Sequence, residues 1–105
     1  VAGTKQLYVS LDKSPPYGGH RPSVDVLFNS VVNEFWSRII GVIMTGMGRD
    51  GAEGLAAIKD QGGFTIAEDK SSCIVYGMPR AAVETGKVDK VVPLRNISEE
   101  VLRLL

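Results

Sequence analysis

Cysteine and histidine are almost missing from this 105-residue sequence, each occurring once, as Cys73 and His20. A single thiol excludes an internal disulfide framework, and one thiol with one imidazole falls short of a zinc ligand set, so no metal and no cofactor is implied. An excess of either charge is missing too. Lys and Arg number 12, as do Asp and Glu, which leaves no field to hold a polyanion and argues against nucleic acid or anionic membrane as partners. No apolar run approaches the ~20 residues of a membrane helix. The opening VAGTKQ lacks a charged stretch followed by an apolar one, so no export signal and no membrane insertion are expected, and a reducing cytoplasm fits.

What is present reads as one α/β domain without repeats or low-complexity tracts. Gln6 to Leu11 alternates apolar and polar with β-prone types, the pattern of a strand with one solvated face. The stretch DKSPPYGGHRP is punctuated as a loop, and a helix is expected from Ser23, with Val24, Leu27, Phe28, Val31, Val32 and Phe35 forming an apolar stripe. Ile39 to Met44 is nearly all apolar, as in a strand covered on both faces of a parallel sheet, and is the candidate central strand. A tight turn, TGMGRDG, leads into a helix over Ala52 to Asp60 that Gly62-Gly63 ends, and Phe64 to Ala67 forms the next strand. Strand, glycine turn, helix and strand over ~30 residues make a βαβ unit. Cys73 to Pro79 holds a short apolar piece and a turn, Arg80 to Thr85 a brief helix and Val88 to Val92 a third strand. Ser98 is expected to cap a last helix with Val101, Leu102 and Leu105 inward.

The glycine turn admits two readings. Gly46, Gly48 and Gly51 match the G-x-G-x-x-G spacing of dinucleotide-binding folds, and Glu68 and Asp69 stand roughly twenty residues on, where a ribose-binding acid would sit. Against this, Asp50 lies at the start of the following helix, where its carboxylate would take the N–H groups that a pyrophosphate needs. Asp50 is then either an N-cap alone or, above the carboxyl end of a strand, a fixed and ionised acid able to support a catalytic histidine.

Three segments resemble one family. GVIMTGMGRDGAEGL (Gly41 to Leu55), HRPSVDVLFNSV (His20 to Val31) and SSCIVYGMPRAAV (Ser71 to Val83) are similar, in order and spacing, to the CheB-type chemotaxis protein-glutamate methylesterases. The resemblance implies that residues 1–105 form the C-terminal part of a methylesterase catalytic domain. Its fold would be partial, doubly wound and mostly parallel (Rossmann-like), lacking the N-terminal strands of the complete domain. It further implies that Asp50 is the acid of a Ser-His-Asp triad and that the Met47 N–H helps form the oxyanion hole. Gly46 and Gly48 would let that turn approach the substrate. The reaction implied is hydrolysis of glutamyl methyl esters, with deamidation of glutamines, on methyl-accepting chemoreceptors, and an N-terminal receiver domain is the implied partner domain.

The family's serine and histidine lie N-terminal to all three segments, and the chain has no G-x-S-x-G. His20 and Ser23 form the nearest internal pair, but Ser23 directly precedes an apolar helix and reads as its cap. His20 and Arg21 are instead expected near the site mouth, where they could meet substrate. Cys73, beside Ile74 and Val75, reads as buried and inert, and Arg80 as a solvated surface arginine. The 105 residues alone are expected to be inactive and, with a sheet edge or apolar patch uncovered, to self-associate. A nucleotide-binding βαβ module and a non-catalytic interaction domain on the same scaffold are the alternatives.

Overall fold

A computed structural model describes residues 22–35 and 39–105, together with Pro15, Pro16 and Gly19. The strand expected over Gln6 to Leu11 and the residues His20 and Arg21 lie outside the described residues.

Helix α1 (Val24–Phe35) is followed by strand β1 (Ile40–Ile43), helix α2 (Ala52–Asp60), strand β2 (Phe64–Glu68), a single 3₁₀ turn (Lys70–Ser72), helix α3 (Met78–Glu84), strand β3 (Lys90–Val92) and helix α4 (Leu94–Leu104). The three strands form a parallel sheet in the order β1-β2-β3. Among the described residues β2 therefore holds the middle position and β1, the Ile39–Met44 candidate, pairs with it on one side. Parallel pairing brings the carboxyl ends of all three strands to one edge, the end where open α/β sheets carry their chemistry.

The sheet alternates as period-2 geometry requires. Gly41 and Ile43 face α2. A Cβ at Gly41 would stand 2.7 Å from Leu55 Cδ1 and 2.9 Å from Ile58 Cδ1, so the missing side chain lets the helix close on the strand. Ile43, Leu55, Ile58, Ala52, Ala67, Ala82 and Val32 form one buried cluster, with Phe28 and Met78 packed against it. Full burial of Leu55 and Ile58 contributes roughly 1.5–3 kcal/mol each. On the other pleat Ile66 and Glu68 are also fully buried. Along α1 the predicted stripe holds at Phe28 and Val32, whereas Leu27 is 54% exposed and stands off the core.

The C-terminal helix differs from its sequence reading. It starts at Leu94, after Pro93 in extended geometry, and Ser98 lies inside it instead of capping it. Ile97 and Glu100 are the buried positions, while Leu102 and Leu105 are exposed. A local pattern of leucines suggested the opposite face. Glu100 is accommodated by Arg103 at 3.1 Å and Lys90 at 3.7 Å, two cations that offset the cost of burying its carboxylate.

Candidate active site

Between β1 and α2 the chain makes a turn at the carboxyl edge of the sheet, held by bonds from two other segments. Thr45 N donates to Glu68 Oε1 at 2.8 Å. The Thr45 hydroxyl donates to the Val75 carbonyl at 3.1 Å and accepts from Ile74 N at 3.0 Å and Val75 N at 2.9 Å. Gly46 N donates to the Val75 carbonyl, and the Gly46 carbonyl accepts from Gly77 N at 3.1 Å and Met78 N at 2.8 Å. A Cβ at Gly77 would stand 2.7 Å from the Gly46 oxygen, so this clamp requires glycine there. Beyond it the Met47 side chain is 82% exposed. The Met47 N–H meets no acceptor among the described residues.

Asp50 ends the turn with its side chain buried. It does not cap α2, as its place in the sequence suggested. The N-cap position of that helix is Gly51, whose φ of 98° is the left-handed geometry that favours glycine and which has no side chain to offer as a cap. The Asp50 carboxylate instead crosses to the start of α1: Ser23 Oγ donates to Oδ1 at 2.9 Å, Asp25 N to Oδ1 at 3.2 Å and Val24 N to Oδ2 at 2.6 Å. The exchange is mutual, because Asp25 Oδ1 accepts Gly54 N from the first turn of α2 at 2.7 Å. Each helix is thus capped by a carboxylate from the other, which fixes their relative position. Ser23 caps α1 as expected, its Oγ accepting Val26 N at 3.3 Å, and it also orients Asp50. Among the described residues, three donors thus converge on the Asp50 carboxylate at the start of α1.

Glu68, at the end of β2, is 1% exposed and holds Thr45 N with one oxygen and Ser72 Oγ, at 2.8 Å, with the other. Asp69 caps the 3₁₀ turn by accepting Ser71 N at 3.0 Å, and hydrogen bonds from Ser71 hold its carboxyl below the ordinary value of 3.8. Both acids are therefore engaged in the protein's own backbone where a nucleotide ribose would need one of them. Asp25, not Asp50, occupies the N–H of α2's first turn. The dinucleotide geometry is not formed.

The whole sequence decides the family: the model described as CheB methylesterase matches residues 1–101. The chain belongs to the CheB methylesterase family. It is 59% identical to the protein-glutamate methylesterase/protein-glutamine glutaminase 1 of Syntrophomonas wolfei, over 100% of this chain and 30% of that protein. It is 50% identical to the protein of that description from Clostridium acetobutylicum, over 92% of this chain and 28% of the relative. The crystal structure of the Thermotoga maritima CheB methylesterase catalytic domain superposes with a TM-score of 0.87 at 41% identity, covering 90% of this chain and 50% of that one. The chain spans less than a third of the length of these curated relatives.

Of the residues expected in a CheB-type site, Gly46, Met47, Gly48 and Asp50 lie on one turn at the carboxyl edge of the sheet. His20 and Arg21 fall outside the described residues. Cys73 is only partly buried, where burial was expected, and Ile74 and Val75 beside it are exposed; burial, followed by the charges of Glu68 and Asp69, raises its thiol above the usual range. Arg80 is a surface arginine paired with Glu84 at 3.2 Å. No group of three or more His, Cys, Asp or Glu among the described residues could hold a metal ion. No helix among them is long and apolar enough to cross a membrane. Sequence reasoning missed the work of Glu68, Thr45 and Asp25. The available signal is an acidic residue closing an apolar strand, a position that equally suits a ribose-binding acid.

Proposed function

We propose that this chain supplies the acid and one oxyanion-hole donor of a protein-glutamate methylesterase, with the serine nucleophile and histidine base contributed by residues preceding Val1. The observation that carries the reading is the buried Asp50 carboxylate, held by Ser23, Val24 and Asp25 at the edge of the sheet in a chain of this family.

A carboxylate fixed in this way can accept the N–H of an imidazole, keep the other ring nitrogen basic and stabilise the imidazolium formed when the serine loses its proton. The serine oxygen attacks the glutamyl ester carbonyl, and negative charge builds on the carbonyl oxygen, where the Met47 N–H donates. Collapse breaks the bond to the methoxy group, which leaves as methanol with the proton returned by histidine. Water, deprotonated by the same base, then cleaves the acyl-enzyme and restores the serine and a free glutamate. With glutamine the leaving group is ammonia. Asp50 changes its protonation in none of these steps.

Methyl-accepting chemoreceptors are the substrate class, the cytoplasm the compartment and an N-terminal receiver domain the regulatory partner in this reading. His20 and Arg21 would meet substrate at the mouth. The test is methanol release from a methylated receptor by the full-length protein. Release that depends on Asp50 supports an esterase. Binding of the receptor without release would instead identify a non-catalytic interaction domain.

A further inference from the structure

Glu68 is almost fully buried, although a carboxylate is a costly side chain to bury and a neutral one of similar size would fill the same space. Its two oxygens serve different segments. Oε1 accepts Thr45 N, and Oε2 accepts Ser72 Oγ. Ser72 Oγ in turn accepts Leu94 N at 2.8 Å, tying the acid to the start of α4. Thr45 is two residues before Met47, whose side chain is 82% exposed and cannot anchor its own amide. The position of that amide is therefore set from the Thr45 and Gly46 side. There the loop over 74–78 holds the Thr45 hydroxyl and both polar atoms of the Gly46 backbone, while Glu68 holds the Thr45 N–H.

From this arrangement we propose that Glu68 is a positioning residue for the Met47 N–H, acting through Thr45 N, an inference that rests on the esterase reading above. Oxyanion donors contribute only when aimed at the place where charge develops, and displacements near 1 Å remove much of the effect. The role asked of Glu68 is acceptor geometry, not charge. A glutamine preserves it: the amide oxygen accepts Thr45 N, and the amide nitrogen donates to Ser72 Oγ. A leucine of similar volume does not, and leaves Thr45 N without its acceptor.

The test compares Glu68→Leu and Glu68→Gln in the full-length protein with a methylated receptor, with circular dichroism to confirm folding and Asp50→Asn measured alongside. Glu68→Leu should lower kcat on the order of 10- to 100-fold with KM unchanged, and Glu68→Gln should recover most of that loss. Wild-type kcat in folded Glu68→Leu, equal impairment of both variants, or a change confined to KM would each overturn the inference. Should Glu68→Leu fail to fold, Ser72→Ala replaces it. That variant loosens the same carboxylate and should lower kcat to a smaller extent, and an unchanged kcat would overturn the inference. Loss of turnover in Asp50→Asn together with full turnover in Glu68→Leu defeats the Glu68 inference alone. Full turnover in Asp50→Asn defeats the esterase reading beneath it.

Discussion

The two ends of the parallel sheet hold their carboxylates in opposite ways. At the carboxyl edge Asp25 and Glu68 are buried and, among the described residues, accept from backbone N–H groups and a serine hydroxyl, and the buried Asp50 takes donors of the same kinds at the start of α1. At the amino edge Asp89 and Asp60 are held by lysines at the surface: Lys59 to Asp89 at 2.6 Å and Lys87 to Asp60 at 2.8 Å. Neutral donors fix the position of an acid without themselves cancelling its charge. Ammonium groups neutralise an acid and are screened by salt, so they serve stability and only modestly. The contrast supports the proposal that the carboxyl edge is the end built for chemistry.

The sharpest way to break the contrast is Asp50→Asn in the full-length protein. Asparagine offers one acceptor oxygen where Val24 N and Asp25 N approach two, so one N–H faces an amide nitrogen. The fold should survive with stability lower by about 1–3 kcal/mol. Turnover should fall by roughly 10³- to 10⁴-fold, because an amide holds the histidine in the wrong tautomer. Steady-state methanol release with a thermal melt reads both effects.

Asp25→Ala probes the other half of the exchanged caps. It removes the acceptor of Gly54 N but leaves the Asp25 N–H on Asp50 in place. The expected result is a stability loss of about 1–2 kcal/mol by urea unfolding, with far less effect on turnover than Asp50→Asn. A turnover loss as large as that of Asp50→Asn would show that the two carboxylates do not divide their tasks.

At the amino edge, burial works against the charge of Asp89, but the Lys59 ammonium and the Thr65 N–H outweigh it and hold its carboxyl below the ordinary 3.8. A folded value below the unfolded one means the stabilisation is complete above about pH 4 and disappears as pH falls through the lower folded value. Asp89→Asn should therefore flatten the acid limb of a stability-versus-pH curve in that window and leave turnover at neutral pH unchanged. Smallest of all is Lys87→Ala, which removes a pair with both side chains about half exposed. Its cost should be about 0–1 kcal/mol and should vanish in high salt, read by urea unfolding with and without 1 M salt.

Much of this was legible in the sequence where a signal is local. The apolar run Ile39 to Met44, the helix closed by Gly62-Gly63 and the strand at Phe64 all form close to their predicted bounds, because burial and backbone punctuation act within a few residues. The caps were not legible. Asp50 was assigned to the helix that follows it, but it is held by a helix 26 residues upstream, since an Asp two positions before Ala52 is free to turn toward better donors once Gly51 reverses the chain. Leu94 likewise starts α4 with its N–H on Ser72 Oγ, so Ser98 is not needed as a cap. Glu68 looked like a ligand-binding acid because a strand-end carboxylate has that use in many folds, and only its tertiary partners show it turned inward.

The most direct test of the account is a crystal structure of the full-length protein with a substrate-like ester or amide bound. The account predicts a histidine ring nitrogen within about 2.6–3.2 Å of an Asp50 carboxylate oxygen, the other ring nitrogen facing a serine, and the Met47 N–H pointing at the bound carbonyl oxygen. An Asp50 carboxylate that still caps α1 but has no imidazole against it would contradict the account, and would reduce the residue to a structural clamp between two helices.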